Sequence, residues 1–212
     1  MNKIHRNLAF FIVLAIVGVG LGSCLEDASK RLPCDPFSSQ DQLKWFAGEV
    51  GDTLSFRDQN NVGKSFEIED KYIIHTTSFV SGVGCNCHDV WGILLVNGTD
   101  SIGVFGQHLY NQYEEFRLNN LNIKVDGRLT AFNSSHRAVL STYRLEEMEF
   151  RNVIRFQHNH TDSLQFRAIF IAPEIGIVRM DRVNGEIWIN TQLDRTLPID
   201  LPTFRYTERV CE

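Results

Sequence analysis

Leu121-Asn122-Ile123-Lys124-Val125-Asp126-Gly127-Arg128-Leu129-Thr130-Ala131-Phe132 is the stretch that decides the fold class of this chain. Apolar and polar residues alternate on both sides of Asp126-Gly127, and a period of two marks a strand with one face buried. Asp and Gly both tolerate the positive φ of a two-residue type I′ turn, so the stretch predicts a β-hairpin. In that register Leu121 faces Phe132 and Ile123 faces Thr130, while Asn122 and Lys124 take the other side with Ala131 and Leu129. The two strands therefore agree on an inner face.

The same signal recurs on either side. With Asn97-Gly98 as a loop, Trp91 faces Val104, and the almost wholly apolar run from Val90 to Val96 predicts a central strand covered on both faces. With Asn184-Gly185 as a loop, Met180 faces Ile189, and Trp188 falls on the wet side with Arg179, Asp181 and Asn190. Leu54 and Phe56 share one side of a run that ends in the turn-forming Asp58-Gln59-Asn60-Asn61. Phe66, Ile68, Tyr72 and Ile74 alternate with Glu67, Glu69, Lys71 and Ile73, with a bend or bulge at Asp70. Met148, Phe150, Ile154 and Phe156 share one parity and Glu147, Glu149, Arg151 and Arg155 the other, which predicts one long strand from Arg144 to His160 rather than a helix. A strand from Leu164 to Ile171 stops at Pro173, and Pro198 and Pro202 make Leu197 to Thr203 an extended edge segment. The expected fold is all-β and antiparallel, a β-sandwich, half-barrel or barrel with several hairpins.

The amino terminus has a different character. Lys3 and Arg6 precede an uncharged apolar run from Leu8 to Gly22, the layout of a secretory signal peptide. The run falls short of the roughly 20 residues that a spanning helix needs. Leu21-Gly22-Ser23-Cys24 resembles the lipobox of bacterial lipoproteins, in which the cysteine sulfur receives a diacylglyceryl group and the chain is cut just before it. The resemblance implies a signal peptide at 1–23, lipidation of Cys24 and durable attachment to a membrane, since two acyl chains suffice for stable anchoring. Residues 24–42 are polar, with Pro33 and Pro36, and read as a tether; 43–212 read as a single β domain. The formal charge is −5, and the leader carries two positive charges and no negative ones. An acidic body without a basic cluster excludes the nucleic-acid binders, which need cations to displace counterions.

Gly51-Asp52-Thr53-Leu54-Ser55-Phe56, Phe170-Ile171-Ala172-Pro173-Glu174-Ile175-Gly176-Ile177-Val178 and Asn184-Gly185-Glu186-Ile187-Trp188 resemble recurring stretches of uncharacterised lipoproteins of the Bacteroidetes. Glu26-Asp27 is similar to the acidic signal that follows the lipid cysteine in such proteins. The resemblance implies a cell-envelope location, at the outer membrane, and a β-rich body. Asp52-Thr53-Leu54, Asp100-Ser101-Ile102 and Asp162-Ser163-Leu164 are similar to O-glycosylation triplets of that phylum, with Ser101 and Ser163 the better placed, near turns.

Lipidation of Cys24 leaves an even set of cysteines, Cys34, Cys85, Cys87 and Cys211. Outside the cytoplasm these are disulfide candidates. A Cys85–Cys87 bridge would close a strained small ring, so Cys34 and Cys211 are expected each to bond one member of the pair. The metal or redox alternative uses Cys85, Cys87 and His88 on zinc, completed by Cys34, His75 or Cys211. His158 and His160 form a second pair, with no third ligand in view.

Enzyme motifs mostly fail. Gly63-Lys64-Ser65 mimics the end of a phosphate loop, but Asp58 stands where its first glycine belongs. No Gly-x-Ser-x-Gly or His-Glu-x-x-His is present. Glu114, Glu115, Glu146, Glu147 and Glu149 leave a carbohydrate-active enzyme as a weaker alternative. No cofactor is implied. The expected function is that of a lipid-anchored, non-enzymatic binding or structural module for a glycan, an envelope protein or an apolar ligand, with Trp188 the ligand-contact candidate.

Overall fold

The computed structural model describes residues 43–80, 84–109, 117–194 and 205–209. The stretches expected to be a signal peptide and a tether, with Cys24 and Cys34, the segment Leu197 to Thr203, and Cys211 lie outside the described residues.

Among the described residues the chain is all-β. The strands are β1 (Thr53–Asp58), β2 (Gly63–Val80), β3 (Gly84–Asn97), β4 (Asp100–Leu109), β5 (Arg117–Val125), β6 (Arg128–Phe132), β7 (Arg137–Leu145), β8 (Met148–Gln157), β9 (Phe166–Ala172), β10 (Gly176–Arg182), β11 (Ile187–Asn190) and β12 (Arg205–Arg209). Eleven form one antiparallel sheet in the order β6-β5-β4-β3-β2-β1-β11-β10-β9-β8-β7, and it curls into a half-barrel. β12 adds to β2 in parallel over Tyr72 to Thr76, beyond the stretch of β2 that β1 occupies.

The two edge strands, β6 and β7, are consecutive in the chain and joined by a short 3-10 turn, Ser134–His136. They do not pair with each other. Instead β6 lies against the connection between β8 and β9, held by side chains: Gln165 Nε2 donates to the Leu129 carbonyl at 3.0 Å, the Phe166 N–H donates to Thr130 Oγ1 at 3.0 Å, and Phe132 meets Phe156 at 6.2 Å between ring centroids. Thr130 is 1% exposed and Phe132 2%, so this seam is dry. Apolar side chains on the inner face, among them Phe56, Phe66, Trp91, Leu121, Ile169 and Met180, fill the curl. Leu43, Phe46 and Ala47 join that cluster, with Phe46 stacked on Trp91 at 6.1 Å.

A second cluster packs on the opposite face of β8–β10. Ala168, Phe170 and Ala172 belong to it, whereas Ile169 and Ile171 belong to the first. What covers this outer face is the β7–β8 hairpin. Asn152 takes φ 56°, and it and Ser141 opposite drop out of the β7–β8 ladder, whose register is the same on either side, Leu140 with Val153 and Thr142 with Arg151. A left-handed residue inside a strand interrupts its extended course and bends it. The tip of the hairpin then folds back, placing Tyr143 flat on Phe170 at 4.6 Å and Leu145 and Phe150 in the outer cluster.

The Asp126-Gly127 hairpin has the expected register, Leu121 to Phe132 and Ile123 to Thr130, with φ of 51° and 73° in the turn. The other two dipeptides need correction. Asn97 pairs with Asp100, so the loop is Gly98-Thr99 and Trp91 faces Gly106 rather than Val104. Glycine at the first loop position favours a type II′ turn and moves the loop by one residue. Around Asn184-Gly185 the loop holds three residues, with the Arg182 N–H bonded to the Glu186 carbonyl and Gly185 at φ 91°. Three-residue hairpins place glycine at that left-handed position. Met180 therefore pairs with Trp188, and the slip turns Trp188 from the wet face into the core, where it is 7% exposed.

Two parity readings also change. The register of β2 against β3 shifts between Ile68 and Asp70, so Lys71, Ile73 and His75 follow Phe66 and Ile68 inward while Tyr72 and Ile74 turn outward. The segment from Arg144 to His160 is not one strand: Glu146-Glu147 is the tip between β7 and β8, with Glu146 at φ 55°.

Candidate binding groove and the sequence-marked residues

The folded-back hairpin leaves a groove between its tip and the outer face of β11 and β1. The groove holds about 540 Å³. Ile187, Ile189, Leu193 and Met148 make an aliphatic floor, and Arg57, Asp58, Gln59, Asn61, Glu146 and Asp194 stand around it. Several wall residues are fixed by their own bonds. Asp58 Oδ1 accepts from the N–H groups of Asn60 and Val62 at 2.9 and 2.7 Å, closing the β1–β2 turn. Gln59 Oε1 accepts from the Ile187 N–H at 2.8 Å, which ties that turn to β11. Asn190 donates to the Ile177 carbonyl and accepts from the Gln192 N–H, at 2.9 and 2.8 Å. Arg57, Glu146 and Asp194 are exposed on the rim and have no ion-pair partner among the described residues. The groove thus has rigid walls, an apolar base, and one cation and two carboxylates free to meet a ligand.

Charged groups elsewhere serve the fold. Arg182, 4% exposed, bonds Asp126 at 2.6 Å and Glu186 at 3.3 Å, with its guanidinium carbon 5.1 Å from the Phe166 ring and 5.0 Å from the Trp188 ring. Lys64 pairs with Asp100 and reaches Asp126 at 3.3 Å. The network bridges β2, β4, the β5–β6 turn and β10 across one end of the curl. The Arg182 guanidinium holds the Asp126 carboxyl below its ordinary range, helped by Lys64. Fully buried Lys71 donates to the Gly48 carbonyl at 2.6 Å, and buried His75 and Asp89, opposite each other on β2 and β3, meet at 2.5 Å. Charges this deep persist only when paired and hydrogen-bonded.

Trp188 is the sequence-marked residue whose setting changes most. Its indole N–H donates to Glu186, its ring packs edge-on to Phe166 at 5.8 Å, and it belongs to the inner core rather than to an open surface. Trp91 is core, and Trp45 packs partly buried against the core. Ser163 is exposed in the turn before β9, and Ser101 is half-buried in β4 between Val96 and Lys124. Cys85, Cys87 and His88 sit on the backbone of β3 opposite Phe79, Thr77 and Thr76; their side chains lie outside the described residues.

His158 and His160 do come together, stacked at 4.1 Å, and a third imidazole that the sequence reading missed joins them: His136 meets His158 edge-on at 4.2 Å. His136 directly precedes β7, whose Arg137 pairs with Phe156 of β8, so the β7–β8 ladder brings it beside His158. His136 Nδ1 accepts from the Asn133 N–H at 3.1 Å, so its neutral ring carries the proton on Nε2 and lacks a free lone pair for a metal. Among the described residues no group of three or more His, Cys, Asp or Glu has metal-holding geometry.

No protein-family model, curated protein or solved structure matches the chain.

Proposed function

We propose that the protein is a non-enzymatic, lipid-anchored lipoprotein of the bacterial cell envelope, held at the outer membrane through Cys24, and that its half-barrel binds an extended segment of another envelope protein. The observation that carries the binding role is the groove. Its aliphatic floor fits alternate apolar side chains of a peptide, and its rim of Arg57, Glu146 and Asp194 fits backbone ends or side chains of both signs. Among the described residues no aromatic ring lines it, and that favours a peptide over a glycan, whose sugar rings stack on aromatic side chains. The lipidation reading rests on Leu21-Gly22-Ser23-Cys24.

Selection of random octapeptides on the immobilised β domain, followed by fluorescence anisotropy with the enriched peptides, tests the role. Arg57→Glu reverses an exposed rim charge and Ile189→Arg fills the floor. The expected result is enrichment of peptides whose affinity falls at least tenfold in both variants, with the urea midpoint of Arg57→Glu unchanged. Peptides that bind both variants as well as the parent, or no enrichment at all, would remove the groove as the binding site.

A further inference from the structure

We propose that the cluster of His136, His158 and His160 is a proton-sensitive latch that keeps the seam of the half-barrel closed while His136 and His160 are neutral and releases it when they take up protons. The rings sit where β6 ends against β8. His158 lies between the other two, and Phe132, whose burial closes the seam, packs edge-on to His160 at 5.6 Å and to His136 at 6.2 Å. His158 Nδ1 and His160 Nε2 are shut off from water and have no hydrogen-bond partner among the described residues. A proton placed on either atom would find no acceptor, and a second would lie beside a like charge.

Among the described residues the surroundings offer no compensation. Phe132, Asn133, Ser134 and Ser135 bring no charge from β6 and the turn. Arg137 on β7, Arg155 on β8 and Arg167 on β9 bring cations. Asp162, in the connection to β9, pairs with Arg128 at 3.4 Å and accepts from the Leu164 N–H. Burial, and then the neighbouring imidazoles, hold His136 and His160 below the ordinary histidine range. The folded seam accordingly binds fewer protons than the unfolded chain. Its stability is complete above a pH of about 6.5, the unfolded value, and is lost as the pH falls from there through the lowered folded values. Opening frees the outer edge of β6, an unpaired strand edge of the kind that recruits another strand.

Hydrogen exchange of the β6 amides, corrected for the intrinsic rate, tests the latch at pH 7.5 and 5.0. The protection of Leu129 to Phe132 is expected to fall at least tenfold between the two, with the β1–β2 amides unchanged. The double variant His158→Gln/His160→Gln, and separately His136→Gln, are expected to retain most of the protection at pH 7.5 and to lose at least half of the logarithmic pH response. Either variant alone suffices if the other fails to fold. Protection independent of pH in the parent, or the full response in a folded variant, would overturn the proposal.

Discussion

Replacing Phe132 by Ala removes the side chain on which the closure of the half-barrel turns. Phe132 is 2% exposed and touches Phe156 and His160 across the seam, and His136 in the turn that follows β6. A buried Phe→Ala change costs about 3–5 kcal/mol, from lost transfer energy and the cavity left behind. With a urea dependence of about 2 kcal/mol per molar for a domain of this size, the unfolding midpoint should drop by about 2 M. Leu129→Ala, on the same strand but 58% exposed, is the internal control and should cost under about 0.5 kcal/mol. A double-mutant cycle with Phe156→Ala isolates the contact across the seam, where an aromatic pair should couple by about 0.5–1.5 kcal/mol. A Phe132→Ala protein no less stable than Leu129→Ala, or a cycle with no coupling, would mean that β6 does not meet β8 in solution.

Three further outcomes follow from the geometry. A Cβ at Gly92 would lie 2.4 Å from the ring of Tyr72, so Gly92→Ala should cost about 1–3 kcal/mol in urea unfolding, and Tyr72→Ala should restore most of it in the double variant. The Asp126 carboxyl should titrate below its ordinary range by carboxyl carbon NMR and move back up in Arg182→Met. Because that folded value is depressed, the contribution of Asp126 to stability is present above its unfolded value near 4 and is lost as the pH falls below it. Asn152→Val should weaken the fold by about 1–3 kcal/mol, since a β-branched residue resists the φ of 56° that bends β8, and should expose Tyr143 to solvent quenchers.

The parts of the fold legible in the sequence are those fixed by local chemistry. Asp126-Gly127 declares its turn because both loop positions need positive φ and both residues accept it. Asn184-Gly185 misleads because the same dipeptide serves a three-residue loop, and the one-residue difference carries Trp188 from solvent to core. The bulge at Glu69 and the left-handed residues Glu146 and Asn152 have no equivalent in the hydrophobic pattern, so Lys71 and Tyr72 exchange faces, and one strand becomes a hairpin bent across the sheet. The groove was illegible for the same reason. Its lining comes from the β1–β2 turn, the β7–β8 tip and the end of β11, which only the bend at Asn152 brings together. His158 and His160 were visible as a pair, but His136 needed the β7–β8 register, hidden while Arg144 to His160 reads as one strand.

The most direct test of a membrane-tethered binding domain is the intact mass of the protein extracted by detergent from the membranes of its host. The account predicts a chain that begins at Cys24 and carries the added mass of a diacylglyceryl group. A soluble chain of 212 residues with its leader in place, or a mature chain with an unmodified cysteine, would contradict it.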